Sequence, residues 1–346
     1  MQKYCCSGCF SDKVIKDLIE AKSTDIGECN FCSSKNTQII PTNYSELFDL
    51  FDGLLSEIYL EDDTGKPLAD CFSDDWGIFL DAKIEPIIIK ELLSNILSYE
   101  VLSKNYSLKP SISQRKNTAV ETWQQFKDSI KHKQRFIIDS DFIKPIGKIL
   151  GQLELSTTEK PVTCYRARTE EGDCAFEKKY MLAPPKEKAG NGRANPAGIP
   201  YLYVASDINT AISELRPHIG ESISVAYIDF LEVLHLIDLR NPKAFLSPFV
   251  DDIEEASNFI LTVKLMALLG EELSRPVSRH ASAYDYAPSQ FLCEFIKTKG
   301  YDGVVYKSSV SDGFNVALFD TNKITVEHIQ RVESHKISEI KITTLP

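Results

Sequence analysis

The chain has 346 residues and carries 50 acidic against 39 basic side chains, a formal net charge of −11 that argues against a general nucleic-acid binder. Its 43% apolar and 26% charged residues are ordinary for a globular protein, and the length allows two domains. No apolar run approaches the roughly 18–20 residues of a membrane span, and MQKYCC is not a secretory signal, so a cytoplasmic protein that does not contact membrane is expected.

Five of the nine cysteines fall in the first 32 residues. Cys6-Ser-Gly-Cys9 and Cys29-Asn-Phe-Cys32 are two C-x2-C turns, which together offer four thiolates for the tetrahedral coordination that Zn²⁺ prefers in a closed structural site. Filling all four positions with cysteine leaves none open for catalysis. Between the turns, Val14, Ile15, Leu18 and Ile19 predict a short helix within Ser11–Lys22. Cys5 is left over, as a bystander or an alternate ligand. The remaining cysteines are scattered, which fits a reduced compartment better than a disulfide framework.

From Asn43 the period is helical: Leu47, Leu50, Phe51, Leu54, Leu55 and Ile58 recur at i, i+3, i+4, with Asn43 as cap and Glu46 three residues on. The acidic stretch Glu61–Asp75 reads as a loop. Further helices are expected over Glu85–Leu102 and Ser113–His132, the latter with Val120, Trp123, Phe126 and Ile130 on one side. Charge is uneven here: residues 49–85 hold eleven acids and two lysines, whereas 104–135 hold eight Lys/Arg and two acids. These read as solvated faces of opposite sign.

After Lys160 strands mix with helices. Val162–Ala167, Tyr201–Ala205, Ser222–Phe230, Val233–Leu239, Gly303–Tyr306 and Asn315–Phe319 are expected strands. Ile208–Leu215, capped by Ser206-Asp207, Asp251–Leu269 and Pro288–Lys299 are expected helices. Thr169–Ala197 lacks periodicity and holds Pro184, Pro185, Gly190 and Gly192 before Arg193, which marks it as a lid or a mobile loop.

Four side chains in this half suit an anionic nucleotide. Arg166 in a strand and Arg193 at the end of the long loop offer two guanidinium forks for a diphosphate. Tyr203 can present a ring face to a planar heterocycle, and Glu214 near a helix end can hold a ribose hydroxyl and stabilise positive charge on the sugar. Each alone is more commonly core or solvated surface; the combination carries the argument.

Tyr165-Arg166-Ala167, Gly192-Arg193-x-Asn195-Pro196-x-Gly198-x-Pro200-x-Leu202-Tyr203, Ala211-x-x-Glu214 and Gly303-Val-Val-Tyr306-x-Ser308 with Asn315-Val-Ala-Leu-Phe319 resemble the RES domain over about Val162–Asp320. The cysteine turns and helices ahead of it resemble the N-terminal region of HEPN/RES proteins. The resemblance implies an α+β protein: a zinc-bound helical domain followed by a mixed α/β domain of ADP-ribosyltransferase-like fold. It divides the chain into a zinc module (1–42), a helical domain (43–155), the RES domain (156–325) and a C-terminal extension (326–346). It further implies a toxin-type enzyme that consumes NAD⁺ with phosphate or water as acceptor. Arg166 and Arg193 would hold the diphosphate, Tyr203 would stack on the nicotinamide side, and Glu214 would face the ribose. Ser308, or its neighbour Ser309, would line the acceptor side. The long interval between Arg166 and Arg193 departs from the family pattern.

ADP-ribosyl transfer to a protein or nucleic-acid target, and a non-catalytic binding module using the basic helix Ser113–Arg135, are the competing readings. An antitoxin or regulatory protein and a second copy of the chain are the expected partners. Gly190-Asn-Gly192 is not a dinucleotide fingerprint, because Asn195 stands at the sixth position and no apolar strand precedes it. Arg275–His280 has the spacing of a HEPN ribonuclease motif but contains Pro276 and lies outside the helical region, so it is treated as chance.

Overall fold

The computed structural model describes residues 2–80, 82–135, 140–155, 160–172, 174–230, 233–245, 247–249, 253–275 and 283–339. Of the Arg275–His280 motif, only Arg275 lies within them. In chain order the elements are β1 (Tyr4–Cys6), α1 (Lys13–Lys22), β2 (Asp25–Gly27), β3 (Thr37–Pro41), α2 (Ser45–Ile58), β4 (Tyr59–Pro67), α3 (Leu68–Trp76), α4 (Pro86–Ile96), α5 (Tyr99–Leu102), β5 (Asn105–Leu108) and α6 (Pro110–His132). There follow α7 (Ser140–Ile149), β6 (Thr163–Thr169), β7 (Leu202–Ala205), α8 (Ile208–Glu214), β8 (Ser222–Asp229), β9 (Leu236–Asp238), α9 (Pro242–Phe245) and α10 (Ile253–Ser274). The chain ends with α11 (Ala287–Thr298), β10 (Gly303–Lys307), β11 (Phe314–Leu318) and β12 (Ile329–Lys336). Among the described residues no helix is long and apolar enough to cross a membrane.

Contacts divide the chain into two compact units. The first comprises residues 1–122 and 241–265, the second 123–240 and 266–346. Residues 43–155, expected as one helical region, are therefore shared between them.

The first unit is not purely helical. It holds a small sheet in the order β1-β3-β2 and a ribbon of β4 with β5. Its core centres on Phe51, which α2 buries completely; Phe10 lies 6.2 Å away, Phe72 5.6 Å and Phe249 5.6 Å between ring centroids. Each such aromatic pair contributes about 0.5–1.5 kcal/mol beyond its burial. Two expectations fail here. The cap of α2 is Tyr44, not Asn43, and it makes no side-chain cap bond. Glu61–Asp75 is no loop: β4 runs to Pro67, and α3 buries Leu68, Ala69, Cys71, Phe72 and Trp76 at helical spacing. The acids between these apolar positions hide the period, since they occupy the outer face. Glu61 is paired with Lys104 at 2.7 Å, so the acidic and basic stretches meet in this unit.

The second unit is mixed α/β, built on a seven-stranded sheet in the order β12-β8-β6-β7-β11-β10-β9. Its pairs are antiparallel apart from β10 with β9. Buried Ile223, Val225, Ala226 and Ile228 on β8 and Val304, Val305, Val316 and Ala317 on β10 and β11 put the core on this sheet. Residues 326–346, expected as an extension, include β12, which pairs with β8 from Ile329 to Lys336. Gln330, Arg331, Glu333, His335 and Lys336 give it the charged composition of an edge strand, which conceals it in the sequence.

Candidate functional site: a cleft where the sheet opens

The site follows from a fault in the ladder of the second unit. β6 pairs with β8 along its whole length, and β7 pairs with β11 from Leu202 to Ala205, yet β6 and β7 meet only at Tyr165 and Ala205. Beyond that pair the strands part. A guanidinium takes over from the ladder: Arg166 Nη1 donates to the Tyr203 carbonyl at 2.9 Å. The opening forms a cleft of about 360 Å³, at the small end of the range for ligand sites. Its walls include Tyr165, Arg166, Arg168, Arg193, Tyr203 and Glu214.

Arg166 is the deepest cation. Its Nε is enclosed and has no hydrogen-bond partner. Burial, and then the nearby charge of Arg168, push its pKa down to about 10, so it still carries its charge at neutral pH. Arg193 enters from the long loop: Nη1 donates to the Leu273 carbonyl of α10 at 2.7 Å and Nη2 to Ser309 Oγ at 3.0 Å. Among the described residues, Arg166, Arg168 and Arg193 have no carboxylate partner in an ion pair. Three guanidinium groups against one wall carboxylate make this an anion-seeking cleft within an acidic chain.

The loop that carries Arg193 is held by its own residues and by α11. Asn195 is buried; its Nδ2 donates to the carbonyls of Gly190, Pro196 and Ile199, and its Oδ1 accepts from the Tyr203 hydroxyl at 2.7 Å. Gln290 Nε2 donates to the carbonyls of Gly192 and Asn195, both at 2.9 Å, and Ser289 Oγ donates to the Arg193 carbonyl at 2.6 Å. Tyr203 is thus fixed at its hydroxyl end, and burial raises its pKa. Nothing in the linear pattern marks Ser289 and Gln290, which stand almost 100 residues from the loop they hold.

Glu214 ends α8, whose start is capped by Asp207 accepting from Thr210 N at 2.8 Å. Its Oε1 accepts from Ser308 Oγ and from Asn315 Nδ2, each at 2.7 Å. Oε2 has no hydrogen-bond partner among the described residues and stays available to a ligand. Ser308 does not itself line the cleft; it reaches the wall through Glu214, while its neighbour Ser309 meets Arg193. The two serines serve different wall residues. Thr210, Ser311, Ser206 and Asp207 share hydroxyl and carboxylate bonds of 2.6–2.8 Å, which fix the loop between β10 and β11 that bears both serines.

A second cluster lies in the first unit. The Sγ atoms of Cys6, Cys9, Cys29 and Cys32 all lie within 4.8 Å of one another, with Cys6 to Cys32 at 3.4 Å and Cys9 to Cys29 at 3.3 Å. This spread brackets the roughly 3.8 Å edge of a sulfur tetrahedron with Zn–S bonds of about 2.3 Å. The Phe31 amide also donates to Cys29 Sγ at 3.5 Å, as expected for a thiolate-bearing turn. The donor set fits a metal ion. Cys5 is buried outside the cluster, because alternation on β1 turns it away from Cys6.

No curated protein matches the chain. Among solved structures it is similar, at 12% identity and a TM-score of 0.32, to a chain of the M. tuberculosis MbcT-MbcA toxin-antitoxin complex, over 56% of this chain and 93% of that one. The RES domain family matches residues 163–338, a span that takes in β6 through β12 and every wall residue of the cleft. The chain belongs to the RES domain family.

Proposed function

We propose that the protein cleaves the bond between ribose and nicotinamide in NAD⁺, passing the ribosyl carbon to phosphate or water. The observation that carries this reading is the pairing of three guanidinium groups that lack carboxylate partners among the described residues with one half-satisfied carboxylate in a single cleft. Arg166 and Arg193 hold the diphosphate in fork geometry, and Tyr203 offers its ring to the nicotinamide side. As the C1′–N bond breaks, its electron pair leaves with nicotinamide and the ring becomes neutral. Positive charge then grows at C1′ beside Glu214. Ser308 and Asn315 hold the carboxylate in one orientation, so little reorganisation accompanies the charge. An oxygen of phosphate, or of water that sheds a proton to solvent, closes on C1′.

The four N-terminal cysteines hold a structural Zn²⁺ in this reading and take no part in the reaction. A protein that destroys NAD⁺ harms the cell that makes it, so an antitoxin or other inhibitory partner belongs to the proposal. The test is incubation of pure protein with NAD⁺, with and without phosphate, and separation of the products. Free nicotinamide with ADP-ribose marks hydrolysis, and with a phosphorylated ADP-ribose marks phosphorolysis. ADP-ribose bound to a macromolecule marks transfer, and untouched NAD⁺ overturns the proposal in favour of a binding module.

A further inference from the structure

The long loop between β6 and β7 is fastened to the sheet beside the cleft. Phe176 N donates to Ser224 Oγ at 2.9 Å, Ser224 Oγ donates to Glu170 Oε1 at 2.8 Å, and Met181 is fully buried. Its link to the cleft is Arg168. This side chain lines the cleft, lies 4.5 Å from the Phe176 ring centroid, and donates from Nη1 to the Tyr180 carbonyl. The Tyr180 ring stands 6.4 Å from that of Phe176, edge to face, and is 51% exposed. Lys179 Nζ lies 4.8 Å from the Tyr180 ring centroid. The segment therefore places an exposed aromatic ring next to Arg168, which lines the cleft two residues along β6 from Arg166, while Lys179 beside the ring is paired with Glu177 at 2.9 Å.

We infer that Phe176, Tyr180 and Arg168 form a purine-nucleotide subsite that holds the adenosine half of the dinucleotide. The inference rests on the proposed NAD⁺ reaction and supplies the part of the ligand that the cleft does not hold. At about 360 Å³ the cleft suits one nucleoside with its phosphates, and Glu214 assigns that space to the ribose that reacts. The second nucleoside must leave along the phosphates, past Arg166 to Arg168. Every base has a π-face, so an exposed tyrosine whose backbone is held by an arginine of the cleft suits a purine with an adjoining phosphate. Tyr180 is the residue to replace, because among the described residues its exposed ring carries no hydrogen bond to another segment, and the carbonyl that Arg168 uses survives in any variant.

The experiment measures AMP binding by calorimetry, and nicotinamide release from NAD⁺ and from nicotinamide mononucleotide, which lacks the AMP half. Tyr180→Ala should weaken AMP binding and raise KM for NAD⁺ by about tenfold at unchanged kcat, the scale of one lost base stack. Turnover of the mononucleotide should not change, and Tyr180→Phe should behave as the native protein. Unchanged AMP affinity and KM in Tyr180→Ala would overturn the subsite. Equal losses on both substrates would also overturn it, since the residue would then serve the cleft as a whole. If AMP binding follows the expected pattern but no nicotinamide is released from either substrate, the subsite stands and the NAD⁺-cleaving reading falls.

Discussion

Glu214 closes the last turn of a short helix, where the helix dipole disfavours a negative charge, so folding alone gives little reason for a carboxylate there. Its hydrogen bonds to Ser308 and Asn315 hold it in a single orientation at the cleft wall. Glu214→Gln keeps the shape and removes the charge. The variant should fold with an unchanged Tm, keep its NAD⁺ affinity, and lose about 10²–10³ in nicotinamide release, the scale for one preorganised electrostatic group. Full activity would remove Glu214 from the mechanism, and a collapsed Tm would make it a structural residue. Much at this scale was legible in the sequence: a glutamate, two arginines and a tyrosine in the family's order. The choice between Ser308 and Ser309 was not, because spacing alone cannot show that one serine meets Glu214 and the other Arg193. Asn315 was visible as part of a motif, but its bond to Glu214 depends on strand register.

At the scale of elements the cleft exists because β6 and β7 part after one pair, and the loop between them must bring Arg193 back to that opening. Gly192 shows how tightly this is done. A Cβ there would lie 2.3 Å from Asn195 Oδ1 and 2.5 Å from the Tyr203 hydroxyl, two groups already bound to each other. Neither can yield without breaking that bond. Gly192→Ala should therefore cost about 1–3 kcal/mol, as overpacking does, and should lower nicotinamide release by displacing Arg193. Gly190, two residues earlier, has open space within 4 Å and no left-handed φ. Gly190→Ala should stay within about 0.5 kcal/mol of the native protein. Thermal melts of the two variants decide it, and equal stability would mean that the loop is not packed as described. Strands β6 to β11 could be read from apolar runs and α2 and α11 from their period, whereas the acids on its outer face hid α3. The parting of β6 from β7 could not, since it is a property of pairing, and charged β12 reads as an edge only once its neighbour is known.

The whole molecule separates two kinds of chemistry. All four clustered cysteines belong to the first unit, whereas every residue of the cleft wall belongs to the second. A linear reading finds both ends of this arrangement but not the return of residues 241–265 to the first unit, because such a return leaves no mark in local periodicity. The cysteine cluster brings together turns 20 residues apart, beside a three-stranded sheet of short strands. A closed thiolate site of this kind contributes directly to folding, since unfolded chain lacks the preformed site. Purified protein should carry about one zinc ion per chain. Cys29→Ser should lose it and lower the melting temperature of the first unit. In a unit of this size each kcal/mol lost shifts Tm by about 2–4 °C, so a loss of about 3 kcal/mol moves it by roughly 6–12 °C. If NAD⁺ binds in the cleft, whose wall residues all belong to the second unit, it should raise a separate transition by mass action and leave the zinc-dependent one in place. Calorimetry with NAD⁺ added to native and Cys29→Ser protein distinguishes the cases. One shared transition, moved by both metal and NAD⁺, would show that the two units fold as a single cooperative body. A fully folded protein free of metal would remove zinc from the account.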